Sequence, residues 1–137
     1  QVLPEYLSGG IKPMLQDDSK ATFCKILNKE DGKIDWHKSA EEIERMIRAF
    51  TPWPSVWTIW NNDGKNLRIR IDEADIMSEQ SPSDSLGYVW QKNKDEILIN
   101  TGRGSLKIKK LTLEGKNTTI ASEFLRGYRH IIGSTFS

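Results

Sequence analysis

The sequence predicts a mainly β chain, in which five short strands curl into a small barrel with one amphipathic helix before them and a short helix after. Three observations predict it. Apolar residues follow helical spacing up to Phe50, and after Pro54 the period changes to two. Turn-forming residues then interrupt the alternation at short intervals. In the last alternating segment, Ser105 to Leu113, the apolar parity flips between Ile108 and Leu111. A strand changes phase only through a bulge or a sharp bend, and long bent strands are how small barrels close.

Each element has its own warrant. Gln1 to Leu7 reads as the end of a helix, terminated by Ser8-Gly9-Gly10, and residues 11–33 read as a linker with little periodicity. Glu30-Asp31-Gly32-Lys33 is a turn, and Ile34-Asp35-Trp36 an extended entry to the next helix. There Ser39 and Glu42 form a capping box, which satisfies two backbone donors at the helix start. Ile43, Met46, Ile47 and Phe50 make one apolar stripe, and Glu41/Arg45 and Glu44/Arg48 are spaced as ion pairs on the outer side. Pro52 ends the helix near Thr51.

Val56 to Trp60 is the first strand and Asn61-Asn62-Asp63-Gly64 its turn. Leu67, Ile69 and Ile71 alternate with Arg68 and Arg70 in a half-buried second strand bearing arginines on its outer face. Ser78 to Ser85 reads as a mobile loop. Tyr88 to Trp90 and Glu96 to Asn100 form a hairpin around Lys92 to Asp95, and Ser105 to Leu113 is the fifth strand. Ala121 to Arg126 is a short helix with Gly127 as its cap. The sum is a five-stranded OB-like (oligonucleotide-binding) barrel over residues 34–137.

Composition limits the function classes. The 137 residues, 36% hydrophobic and 28% charged, suit one soluble domain with an arm. No apolar run reaches the roughly 18 residues of a membrane span, so no membrane partner is expected. The single Cys24 excludes an intrachain disulfide and a cysteine-based zinc cage, and only His37 and His130 accompany it. No metal is expected. The chain begins at Gln1 without a signal-peptide pattern, which suggests a fragment of a cytoplasmic protein.

The formal charge of +1 conceals a split: residues 1–89 carry 11 basic and 15 acidic side chains, residues 90–137 carry 9 and 4. Arg103, Lys107, Lys109, Lys110 and Lys116 lie close together in the basic part, interrupted only by Glu114. Lys107 and Lys109 share the strand face opposite Leu106 and Ile108. Clustered cations bind a phosphodiester backbone by releasing counterions, although a solvated lysine-rich face has the same composition. Of the five tryptophans, Trp36, Trp53 and Trp57 are expected to pack between helix and barrel. Trp60 and Trp90, near strand ends, are the candidates for base stacking.

No nucleophile–base pair is legible. Cys24 reads as an inert thiol, His37 as a surface residue, and His130 as a possible extra charge beside phosphates. Gly102-Arg103-Gly104 suits a hairpin connection, since no third glycine or following helix makes it a phosphate loop.

Glu30-Asp31-Gly32-Lys33-Ile34-Asp35-Trp36, Ser39-Ala40-Glu41-Glu42-Ile43 and Ile47 through Pro54 resemble the start of the C-terminal domain of methionyl-tRNA formyltransferases. Leu113-Glu114-Gly115-Lys116 and Glu123-Phe124-Leu125-Arg126-Gly127 resemble that domain's closing signature, and Asp18 to Phe23 the linker before it. Four positions depart from the family pattern. Ser55 replaces a usual glycine, Cys24 a small alanine, Thr119 a methionine and Ile120 a capping serine, so that the helix cap is expected to shift to Thr118 or Thr119.

The resemblance implies an enzyme that formylates the amino group of initiator methionyl-tRNA with 10-formyltetrahydrofolate in translation initiation. It also implies that the donor site and the catalytic Asn, His and Asp belong to an N-terminal Rossmann-like domain, of which residues 1–10 look like the last helix. No residue of this chain matches those positions, so no catalytic residue and no bound cofactor is expected in it. The expected tRNA contacts are Arg103, Lys107, Lys109, Lys110 and Lys116, with Lys25, Lys29 and Lys33 in the linker. The expected partners are initiator tRNA and the catalytic domain, on a monomeric protein. The competing expectation is the structural barrel of a sugar-nucleotide or other folate-dependent formyltransferase, whose surface would lack a continuous basic strip.

Overall fold

A computed structural model describes residues 2–137. Helix α1 (Val2–Leu7) is followed by an extended, exposed segment that leads to a turn of 3-10 helix at Lys29–Gly32. Helix α2 (Ala40–Ala49) precedes strands β1 (Val56–Asn62), β2 (Lys65–Met77), β3 (Val89–Trp90), β4 (Ile97–Asn100) and β5 (Ser105–Leu113). A two-residue strand β6 (Thr119–Ile120), helix α3 (Ala121–Gly127) and a short tail complete the chain. The strands form one curled antiparallel sheet in the order β1-β2-β5-β4-β3, with β6 paired to β5. No described helix is long and apolar enough to cross a membrane.

The capping box of α2 forms as expected: Ser39 Oγ accepts from Glu42 N, and Ser39 N donates to the Glu42 carboxylate at 2.9 Å. Ile43 and Ile47 are buried, and Met46 and Phe50 pack at the core edge. Of the two anticipated ion pairs, only Glu44–Arg48 forms, at 2.7 Å. Glu41 turns instead to Arg103, because the β4–β5 connection runs beside the start of α2.

Between β1 and β2, Asp63 and Gly64 both have positive φ, the primed turn whose twist matches a two-residue hairpin. β2 runs on to Met77, well past the expected end at Ile71, through an irregularity in its pairing with β5. Asp72 of β2 and Lys109 of β5 have no partner across that ladder. This double bulge lets Leu106 and Ile108, then Leu111 and Leu113, all face the core.

The free edges of β1 and β3 do not pair with each other. The tail spans them: Ser137 exchanges backbone hydrogen bonds with Ile59, and Val89 N donates to Ser134 O at 2.9 Å. No sequence signal announced this stave, which seals two edges that would otherwise present unpaired donors and acceptors.

Five further expectations are corrected. Gly127 is the last residue of α3 rather than its cap, and Tyr128 takes the cap position. The N-cap of α3 is Ile120 with no side-chain bond, while Thr119 Oγ1 donates to Glu123 and Thr118 meets Thr112 and Arg70. The 78–85 segment is pinned to the sheet: Gln80 Nε2 donates to Thr101 O and Gly104 O, and the buried Ser81 bonds Asn100. Among the tryptophans, Trp36 lies in the core and Trp57 is buried under the linker turn, as expected. Trp60 is only 1% exposed, so it is a core residue and not a stacking platform, whereas Trp53 is 54% exposed. Strand parity explains Trp60, which follows Val56 and Thr58 inward.

Candidate nucleic-acid interface

Two groups of cations arise from this frame, and they differ in what surrounds them. The first is the β5 group anticipated from sequence. Of its side chains, Arg103, Lys107, Lys109 and Lys110 each meet a carboxylate brought in by a neighbouring element. Lys107 Nζ lies 2.5 Å from Glu96, the residue just before β4. Lys109 is 2.8 Å from Asp75 and Lys110 is 2.7 Å from Glu73, both on β2. Arg103 lies 3.4 Å from Glu41. The basic strip is therefore studded with acids. Such exposed pairs are worth about 0–1 kcal/mol each, so a phosphate can compete for the lysines.

The pairing leaves a titration signature. Lys107's hydrogen bond lowers the Glu96 carboxyl below its usual range, Lys110 does the same for Glu73, and Asp75 raises Lys109. A depressed carboxyl pKa means that the pairing's stabilisation is complete at neutral pH and lost as pH falls through the folded value. In an NMR titration the Glu96 midpoint is expected below that of an ordinary glutamate, and Lys107→Ala should move it back up. An unchanged midpoint would remove the pairing from the account.

The second group joins the linker to the outer face of β1 and β2. The linker turn carries its own capping box, Asn28 with Asp31, and is held to β1 where Trp57 Nε1 donates to Lys29 O at 2.9 Å. Gly32 permits this close approach: a Cβ there would lie 2.0 Å from Ser55 O. Ser55, the family-atypical residue, itself sits at φ +70, the left-handed region that glycine occupies without strain. Arg68 lies over the Trp57 ring, 4.0 Å from its centroid, a cation–π contact. Arg70 Nη2 donates to Thr112 Oγ1 at 3.0 Å and to Thr118 Oγ1 at 3.2 Å, while its Nε meets Asp72 at 2.5 Å. Together Lys29, Pro54, Ser55, Trp57, Arg68 and Arg70 line a hollow of about 200 Å³.

Among the described residues Lys29, Lys33 and Lys116 have no ion pair, whereas Lys25 pairs with Asp31 at 2.5 Å. Lys33 bridges to Trp57 beside the hollow, and Lys116 stands apart, beyond the end of β5. Arg68 and Arg70 were absent from the residues expected at the interface. Their outward parity was legible, but Lys29 is remote in sequence and only the fold brings it alongside. His130 is turned to local structure, with Nε2 2.8 Å from Asn62 Oδ1 and its ring 5.2 Å from that of Trp60. Among the described residues no group of His, Cys, Asp and Glu is placed to hold a metal ion.

The model of the family described as "Formyl transferase, C-terminal domain" matches residues 26–129, which span the linker turn, the curled sheet and α3. The chain belongs to the formyl transferase C-terminal domain family. Among curated relatives of this formyl transferase C-terminal domain, a methionyl-tRNA formyltransferase of Lachnospira eligens is 43% identical over 88% of this chain and 38% of its own length. Those of Streptococcus thermophilus and Myxococcus xanthus are 35% and 37% identical over 93% and 98% of this chain. The chain thus spans about two-fifths of the relatives it matches. Among solved structures, a variant of HypX from Aquifex aeolicus superposes with a TM-score of 0.61 at 16% identity, over 94% of this chain and 22% of that one. HypX in complex with tetrahydrofolic acid gives 0.58 at 17%, over 90% and 21%. At such identity the likeness concerns the fold alone.

Proposed function

We propose that this chain is the tRNA-binding C-terminal domain of a methionyl-tRNA formyltransferase. The observation that carries the reading is 43% identity to a methionyl-tRNA formyltransferase over 88% of the chain. In this reading the parent enzyme transfers a formyl group from 10-formyltetrahydrofolate to the amino group of initiator methionyl-tRNA in translation initiation. Donor and catalytic residues lie in an N-terminal Rossmann-like domain, for which residues 1–10 are the closing helix and residues 11–33 the linker. The OB-like barrel, residues 34–137, holds the tRNA backbone and sets the aminoacyl end before that site. The parent works in the cytoplasm as a monomer.

The candidate contacts are Arg103, Lys107, Lys109, Lys110 and Lys116 with Lys25, Lys29 and Lys33. Exposed apolar side chains support a missing neighbour: Val2, Leu3 and Leu7 of α1 are each at least two-thirds exposed, and Phe23 is 94% exposed in the linker.

The complete coding sequence that contains this chain, once expressed, should formylate methionyl-tRNA from 10-formyltetrahydrofolate, and the chain alone should not. Formylation of an amino sugar nucleotide instead, with methionyl-tRNA left untouched, would sink the reading in favour of the structural barrel.

A further inference from the structure

Lys29, Arg68 and Arg70 converge on one hollow although they come from the linker and from β2. The only carboxylate whose oxygens touch their cationic groups, among the described residues, is Asp72 on Arg70. Glu114 is also near, but it accepts from the Arg68 backbone N–H at 3.3 Å. This contrasts with β5, where three lysines face three carboxylates. Two of the cations, and the backbone that carries the third, are also held in place before any ligand arrives. The Trp57 ring supports Arg68, two threonine hydroxyls fix Arg70, and the Trp57 Nε1–H anchors the Lys29 backbone. A guanidinium held over a ring by cation–π attraction still has N–H donors for the oxygens of a phosphate.

One wall of the hollow is Pro54-Ser55, and the residue before that wall is Trp53. It is the most exposed of the five tryptophans, at 54%. A large aromatic ring left in water, next in sequence to the wall of a cation-lined hollow, suits single-stranded nucleic acid, which sets phosphate on cations and base on a ring.

We infer that Lys29, Arg68 and Arg70 form a phosphate subsite for RNA, with Trp53 stacking on an adjacent unpaired base. The inference rests on the tRNA reading above and deepens it, moving the principal contact from β5 to the linker and β1–β2 face. The charge complementarity favours RNA over a protein partner.

The test compares labelled initiator tRNA binding to the wild-type chain, Arg68→Gln plus Arg70→Gln, Trp53→Ala, and the control Lys92→Gln. Circular dichroism of each variant reports that the fold is kept. The arginine pair should weaken binding at least about tenfold and lower the slope of log affinity against log salt by about 1 to 2. Trp53→Ala should cost about tenfold and remove most of the tRNA-induced quenching of tryptophan fluorescence. Lys92→Gln, whose lysine is paired to Glu79, should stay within twofold of wild type.

If the wild type binds tRNA and both test variants stay within twofold of it, the subsite is overturned while the tRNA reading stands. If the wild type does not bind, the reading falls and the subsite with it. If Trp53 fluorescence responds only when the upstream domain is joined, and not to tRNA, the face is a protein interface and the inference is wrong.

Discussion

Trp60→Ala is expected to lower the melting temperature by more than about 10 °C, a loss of about 3–5 kcal/mol. Trp60 is buried to 1% and sits where β1 meets α3 and the tail, with ring centroids 6.5 Å from Phe124 and 6.0 Å from Tyr128. Truncation leaves a cavity bounded by three separate elements, which cannot collapse together onto the lost ring. A small domain has about 5–15 kcal/mol in total, so a large share of its stability would disappear. Trp60→Phe, which keeps most of the volume, should lose much less. A Trp60→Ala protein that melts like wild type but no longer binds tRNA would return this residue to the role of a stacking platform.

Gly32→Ala should cost about 2–4 kcal/mol and also weaken tRNA binding. The added methyl would meet Ser55 O at 2.0 Å and Trp57 Cδ1 at 3.3 Å. The first of these is backbone, so no rotamer change relieves it and the linker turn must lift from the sheet. That lift breaks two bonds of 2.9 Å, from Trp57 Nε1 to Lys29 O and from Ile34 N to Trp57 O. It also carries Lys29 away from Arg68 and Arg70. Thermal melting and tRNA titration on the same preparation check both effects, and a variant within 1 °C and twofold of wild type, each a conventional margin of about that size, would contradict the geometry.

Local rules made much of the fold legible. The capping box at Ser39 and the stripe from Ile43 to Phe50 need only their own helix, and both stand in the structure. The parity flip in β5 located the double bulge, because the apolar pattern must change phase there. Parity alone would also have turned Trp60 inward with Val56 and Thr58; position near a strand end was the weaker guide.

Non-local pairing stayed hidden. Nothing near Lys107, Lys109 or Lys110 in sequence names Glu96, Glu73 and Asp75 as their partners, since hairpin and ladder registers decide that. The union of Lys29 with Arg68 and Arg70 depends on a linker turn docking on Trp57, and the cover over the β1 and β3 edges depends on a tail with no periodicity. Charge clusters counted along the β5 segment therefore found lysines that carboxylates pair, and missed Arg68 and Arg70 beside Lys29.

Under the proposed function this domain holds tRNA by its phosphates. Titration of labelled initiator tRNA with the chain at about 50 mM and about 200 mM monovalent salt tests it directly. With three phosphate contacts, binding should be clear at the lower salt and about 40-fold weaker at the higher. Absence of binding at the lower salt, or an affinity that salt does not change, would contradict the claim.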